Sequence, residues 1–255
     1  MVFFVGAGPG AVDLITLKGV NLLKKADLII YAGTLVNPDL LQYAKAGCEC
    51  VNSAYLTLDE VIGLVKDAEE AGKTTVRLHT GEPSIYGAVR EQMDELDKLG
   101  IRYESVPGVS ACFGAAASLN MEYTLPDVSQ TLIITRMEGR TPVPEKETIE
   151  SLASHQASMA IYLSAGMTEE LQERLIKGGY DRETPAAVVY KATWPEEKSL
   201  ICTVGTLADT AKAHDISKIA VILVGDAVTH SKYEKSRLYS SDFSTEFRKA
   251  VPKEE

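Results

Sequence analysis

Short apolar runs alternate with amphipathic stretches along almost the whole chain. Residues 2–6 (VFFVG) form an apolar run of strand length. Residues 16–26 carry Leu17, Val20 and Leu23 at helical spacing. Residues 27–32 (DLIIYA) read as a buried strand, and 48–51 as a short one. A helix is predicted over 57–72, because Thr57 and Glu60 fit a capping box and Gly72 marks the stop. A strand at 74–80, a helix at 86–100, a strand at 102–106 and a small-residue helix at 110–120 complete the first half. Strands separated by helices imply right-handed parallel crossovers, and hence an α/β sheet covered on both faces.

A polar stretch containing Pro126 interrupts the pattern at 120–130. The alternation then restarts. Strands are predicted at 131–136, 158–165, 186–192, 199–204 and 218–225, with helices near 145–154, 168–177 and 206–214. The expected fold class is α/β, with two α/β/α domains and a ligand cleft between them. The domains span 1–115 and 127–232, and a charged, exposed tail covers 233–255. No internal repeat is visible.

Composition narrows the function classes. The chain has 255 residues, 45% of them hydrophobic and 24% charged, an ordinary globular balance. No apolar run approaches the roughly 18 residues that cross a bilayer, and the short stretch at 2–5 does not resemble a signal peptide. No membrane partner and a cytoplasmic location are expected. A net charge of −10 makes a nucleic-acid partner unexpected, since counterion release needs a concentrated basic surface. An anionic small molecule would need a locally basic cleft. Cys48, Cys50, Cys112 and Cys202 read as small buried apolar residues, because no second ligand pair accompanies the C-x-C spacing. His79, His155, His214 and His230 show no metal-ligand spacing, so no protein-bound metal is expected.

Ligands in open α/β sheets sit at the carboxyl ends of strands, and four loops there are unusual. VGAGPGAVD follows the first strand. A dinucleotide site would show G-x-G-x-x-G and an acid closing the second strand. This loop reads G-x-G-P-G, the second strand closes on Ala32, and Pro9 removes an N–H that a phosphate cradle would use. A nicotinamide dehydrogenase is therefore disfavoured. RLHTGEPSIYGA (77–88) places Glu82 at the apex of a rigid turn, as a solvated turn residue or as a partner for a cationic ligand. VPGVSAC (106–112) turns at Pro107-Gly108, and Ser110 is placed to cap the next helix. VVYKATWPEEK (188–198) carries the only tryptophan, Trp194, in a loop.

Taken together, in this order and at these intervals, the loops resemble those of the S-adenosylmethionine-dependent tetrapyrrole methyltransferases. The resemblance covers about residues 2–225. It rests on GAGPGAVDLITLKG, ADLIIYAG, VRLHTGEPSIYG, VPGVSA, IYLSAGM and VVYKATWPEEK. It implies a cofactor folded between the two domains. The matching positions are Pro9, Thr80, Gly81, Glu82, Ile85, Ser110, Ala111, Leu163 and Ala192. Glu82 stands where the family more often has Asp. Several of these residues are small or apolar, so backbone groups and shape would do most of the binding.

Within the family, YAGTLVNPDLL (31–41), ITRMEGRTPVPE (134–145) and the YKATWPEEK segment resemble the enzymes that methylate precorrin-4 or cobalt-precorrin-4 at ring carbon 11. The enzymes acting on uroporphyrinogen III carry Asp where this chain has Ala32. They also carry a G-K-R run where it has Asn52, Ser53 and Ala54. The implied reaction is methyl transfer to a carboxylate-rich macrocycle, with any cobalt arriving inside the substrate. Arg90, Arg136, Arg140 and Lys191 are the candidate carboxylate partners, and Tyr31 and Trp194 the candidate surfaces for the ring. No catalytic base is identified. A homodimer is implied by the resemblance. Another tetrapyrrole methyltransferase, or a non-catalytic nucleotide-binding module, is the alternative.

Overall fold

The computed structural model describes residues 1–229 and 233–251. His230 and the end of the tail at 252–255 lie outside the described residues. The first half runs β1 (Val2–Gly6), α1 (Leu17–Leu23), β2 (Leu28–Tyr31), β3 (Glu49–Asn52), α2 (Leu58–Glu70), β4 (Thr75–His79), α3 (Val89–Lys98), β5 (Tyr103–Val106) and α4 (Ala111–Ser118). The second runs β6 (Leu132–Arg136), α5 (Ile149–Ala153), β7 (Ser158–Tyr162), α6 (Thr168–Lys177), β8 (Pro185–Tyr190), β9 (Lys198–Thr203), α7 (Leu207–Ala213) and β10 (Ala220–Val224).

The first sheet has strand order β3-β2-β4-β1-β5, and every pairing is parallel. Side chains alternate across it. Val5, Ile29, Val76 and Leu78 face one core with Leu23 of α1, while Val2, Phe4, Leu28 and Ile30 face another with Val61 and Val65 of α2 and Met93 and Leu96 of α3. The α2 capping box forms as its sequence predicts: Thr57 Oγ1 accepts from the Glu60 N–H, and the Glu60 carboxylate accepts from the Thr57 N–H. The strand most buried, β4, also holds Arg77 and His79. Arg77 donates to Gln92 Oε1 (2.9 Å) and to the Ile30 carbonyl (3.1 Å), with no carboxylate beside it in these bonds. Burial pulls its pKa down to about 10. Burial, aided by the Arg77 charge, holds His79 neutral with a pKa of about 3.

The second sheet has order β6-β7-β10-β8-β9. Here the expectation of parallel crossovers fails. β6 and β7 are parallel, but β10 pairs antiparallel with β7. The link at 191–197 joins β8 to β9. It is too short for a parallel crossover, which needs a dozen or more residues.

By internal contacts the chain divides into two compact units. One is Met1–Ser118 with Val189–Ser199 and Lys218–Val221; the other is Leu119–Val188, Leu200–Ser217 and Ile222–Glu255. The loop after β8 therefore belongs to the first unit. Several helices start later or strands stop earlier than the pattern predicts, and left-handed residues mark the places. Tyr86 (φ 56°) and Ala88 (φ 47°) delay α3, Leu163 (φ 54°) ends β7, and Lys191 (φ 47°) ends β8. The helix predicted near 145–154 shrinks to α5, behind a 3-10 turn at Glu145–Glu147. No helix among the described residues is long and apolar enough to cross a membrane.

Candidate functional site

In the first unit, the loops after β1, β4 and β5 meet through their glycines. Gly8 and Gly81 form an antiparallel bridge, with the Gly81 N–H donating to the Gly8 carbonyl (2.9 Å) and the Gly8 N–H to the Gly81 carbonyl (3.4 Å). A Cβ on Gly6 would lie 2.6 Å from Gly108 Cα and from the Gly81 carbonyl; one on Gly108 would lie 2.2 Å from that same oxygen. Any side chain at these places would force backbone apart. The Glu82 carboxylate completes the junction. It accepts from the Ser84 N–H (3.0 Å) and, across the loops, from the Gly108 N–H (2.8 Å). Burial opposes its charge, but these two amides prevail and hold the carboxyl below its ordinary range.

The glycine loop is therefore no phosphate cradle. The Ala7 N–H donates to the His79 carbonyl (2.7 Å), Gly8 is spent on Gly81, and the Ala11 N–H donates to Thr193 Oγ1 (3.0 Å). Pro9 has no N–H to give.

The fourth loop folds onto the first. Trp194 Nε1–H donates to the Pro9 carbonyl (3.1 Å), and a Cβ on Gly10 would lie 2.1 Å from Trp194 Cδ1. Asn37, 8% exposed, supports the other side by donating from Nδ2 to the Gly10 carbonyl (2.9 Å). Lys191 sits over the Trp194 ring at 5.1 Å and the Tyr190 ring at 5.9 Å, with Glu196 3.6 Å away. Glu197 accepts from Ser118 Oγ (2.7 Å), the Thr193 N–H (2.5 Å) and Ser199 Oγ (2.8 Å). Burial works against its charge, and these three donors overcome it and keep the carboxyl below its ordinary range.

The sequence-derived cofactor positions thus divide. Pro9, Thr80, Gly81, Glu82, Ile85, Ser110, Ala111 and Ala192 lie in the first unit, on or beside the four meeting loops. Leu163 lies in the second unit, 64% exposed at the end of β7. Thr80 Oγ1 is buried and has no hydrogen-bond partner within the protein. The nine positions offer carbonyls, hydroxyls and apolar surface and no basic side chain. That chemistry fits a phosphate-free, positively charged ligand.

The substrate candidates separate further. Tyr31 closes β2, and its carbonyl accepts from Ser53 Oγ (3.1 Å). Arg90 stands exposed on α3 and is ion-paired to Asp94 and Asp97; its hydrogen bonds to Asp94 and Tyr103, with the Asp94 charge, raise its pKa. Arg136 donates to the carbonyls of Met137 (3.0 Å), Thr141 (3.2 Å) and Pro142 (2.8 Å), and so holds together the loop that carries exposed Arg140. Lys191 and Trp194 belong to the four-loop junction; Arg90, Arg136 and Arg140 do not. Sequence reasoning missed Asn37 and Glu197. The Asn-Pro turn signal at 37–38 was visible, but its tie to Gly10 was not; nothing in PEEK distinguishes Glu197 from Glu196. The cysteine expectation fails in part. Cys112 is buried, but Cys50 is exposed and Cys48 and Cys202 are half-buried, because β3 and β9 are edge strands. Among the described residues, no group of three or more His, Cys, Asp or Glu is placed to hold a metal ion.

Three strand-end loops packed glycine to glycine, a fourth held on them by Trp194, a buried unpartnered hydroxyl and no phosphate cradle describe a site for a non-phosphorylated cofactor. The family description "Tetrapyrrole (Corrin/Porphyrin) Methylases" matches residues 1–208, and the chain belongs to that methyltransferase family. A cobalt-precorrin-4 C(11)-methyltransferase of Methanocaldococcus jannaschii is 52% identical over 252 residues, 99% of this chain and 97% of that protein. The X-ray structure of a cobalt-precorrin-4 methyltransferase, CbiF, superposes with a TM-score of 0.87 at 46% identity, covering 89% of this chain and 95% of the other. A uroporphyrin-III C-methyltransferase from Thermus thermophilus, complexed with S-adenosylhomocysteine, superposes with a TM-score of 0.74 at 25% identity, covering 92% and 95%.

Proposed function

We propose that this chain transfers a methyl group from S-adenosylmethionine to ring carbon 11 of precorrin-4, with or without cobalt, in the synthesis of cobalamin. The observation that carries the reading is the 52% identity, end to end, with a protein named for that reaction. Two local features agree with it. Ala32 and the segment Asn52–Ala54 lack the acid and the basic run of the uroporphyrinogen enzymes. Asn52 is also engaged locally, its Oδ1 accepting from the Ala54 N–H (2.9 Å).

Thr80, Gly81, Ser110, Ala111 and Ala192 would hold the cofactor through hydroxyl and backbone groups, with Pro9 and Ile85 supplying apolar surface. The Glu82 carboxylate, fixed by two amides, adds a negative field near a cationic ligand. S-adenosylmethionine supplies an already activated methyl group when bound. The protein therefore needs no nucleophile of its own. Its work is to hold the macrocycle carbon in line, about 3–3.5 Å from the methyl. Lys191, fixed above the Trp194 ring, is the best-placed cation for a substrate carboxylate. The protein acts as a cytoplasmic homodimer in this reading.

The test is incubation with methyl-labelled S-adenosylmethionine and each form of precorrin-4, read by mass spectrometry of the product. Transfer to uroporphyrinogen III alone would replace this reading with the first-step enzyme. Cofactor binding with no turnover on any tetrapyrrole would replace it with a binding module.

A further inference from the structure

The loop after β8 holds a conformation that its residues disfavour. Lys191 has φ 47° and Thr193 has φ 68°. A β-branched residue in the left-handed region is a genuine outlier, and such residues persist only where their surroundings over-determine them. Here the surroundings do so. The Lys191 N–H donates to the Ile219 carbonyl (2.9 Å), the Trp194 N–H to the Lys191 carbonyl (3.0 Å), and the Glu197 N–H to the Trp194 carbonyl (3.1 Å). Thr193 Oγ1 receives the Ala11 N–H, and Trp194 Nε1–H reaches the Pro9 carbonyl. One side chain gathers the rest. Glu197 Oε2 takes both the Thr193 N–H and the Ser118 hydroxyl of α4, while Oε1 takes the Ser199 hydroxyl.

We infer that Glu197 is a positioning residue for methyl transfer: its carboxylate clamps the strained 191–194 loop to α4, and Thr193 and Trp194 of that loop in turn hold the glycine loop. The clamp fixes Ala192 on the cofactor side and Lys191 and Trp194 on the macrocycle side in one arrangement. The inference rests on the methyl-transfer reading above. Its physical content is geometric. A shift of about an ångström in the relation of reacting groups costs up to roughly 100-fold in rate, and a loop holding both sets of contacts sets that relation. The charge of Glu197 is not required by this role, only its acceptor atoms. An amide at 197 can keep them: its oxygen takes the Oε2 place and receives Thr193 and Ser118, and its NH2 faces Ser199, whose hydroxyl turns to accept.

Glu197→Ala, Glu197→Gln and Ser118→Ala separate the possibilities. Steady-state transfer to the tetrapyrrole is measured beside amide hydrogen exchange of Thr193 and Trp194, calorimetry with S-adenosylhomocysteine, and thermal unfolding. Glu197→Ala should lower kcat/KM at least tenfold per folded molecule, weaken S-adenosylhomocysteine binding several-fold, and speed exchange at Thr193 at least tenfold. Glu197→Gln should stay within about threefold of wild type in all of these. Ser118→Ala, which removes one of the three bonds, should move each readout in the same direction by a smaller factor; it serves alone if Glu197→Ala does not fold. The proposal is overturned if Glu197→Ala transfers and exchanges like wild type. It is also overturned if Glu197→Gln is as damaged as Glu197→Ala, or if activity falls only by the fraction unfolded. Wild type that binds the cofactor and transfers nothing would instead defeat the methyl-transfer reading, while the exchange and binding data would still judge the clamp.

Discussion

Gly6→Ala probes the junction on which the whole site stands. The Gly6 backbone is not left-handed, so alanine meets no dihedral strain there and the test is steric alone. Its Cβ would sit 2.6 Å from Gly108 N, Gly108 Cα and the Gly81 carbonyl oxygen, about an ångström inside ordinary contact distance. All three obstacles are backbone, and no rotamer can relieve them. Overpacking costs about 1–3 kcal/mol, and rigid neighbours on both sides place this case at about 2–3 kcal/mol. The thermal midpoint should fall by roughly 5–10 °C for a chain of this size. Because Gly81 and Gly108 must part, S-adenosylhomocysteine affinity measured by calorimetry should fall at least tenfold. Gly63→Ala is the control. Gly63 lies inside α2 with nothing within 4 Å of a new Cβ, so alanine should stabilise by about 0.5–1 kcal/mol and leave binding alone. Wild-type stability and affinity in Gly6→Ala would refute the interlocked junction.

Gly10→Ala should displace the only tryptophan from the Pro9 carbonyl, read as a red shift of its emission; an unchanged spectrum would contradict the packing. His79 has a folded pKa of about 3 against 6.5 in the unfolded chain, so the unfolded chain takes up its proton first. Its contribution to stability is complete above pH 6.5 and is lost as pH falls toward 3, at about 1.4 kcal/mol per pH unit. His79→Leu should remove that part of the slope in denaturation curves run from pH 7 to 5. Under native conditions a thiol reagent should modify exposed Cys50 first and spare buried Cys112, as mapped by peptide mass. Burial and the neighbouring Cys50 push the Cys48 thiol up to about 11, so it should follow slowly.

The elements of the first sheet were legible because hydrophobic period and cap residues act locally. Thr57 and Glu60 mark the start of α2 with no help from the rest of the chain. The direction of β10 was not legible, since hydrophobic periodicity carries no direction. The four loops were legible as unusual, through Gly, Pro and Trp. Their joining was not. Gly6, Gly81 and Gly108 are far apart in sequence; packed backbone explains why Gly6 and Gly108 must lack a side chain, and a left-handed φ of 59° explains Gly81. Sequence spacing argued against a phosphate site at Pro9, and the spent amides of Ala7, Gly8 and Ala11 supply the reason. The basic candidates fared unevenly because charge does not reveal its partner: Arg90 meets Asp94 and Asp97, and Arg136 meets three carbonyls. Glu82 was legible as a turn carboxylate, but its bond to Gly108 was not.

The most direct measurement is of the product formed from methyl-labelled S-adenosylmethionine and precorrin-4, prepared with and without cobalt. The account predicts one labelled methyl group, located at ring carbon 11 by nuclear magnetic resonance. A label at another ring position, or no labelled tetrapyrrole at all, would contradict it.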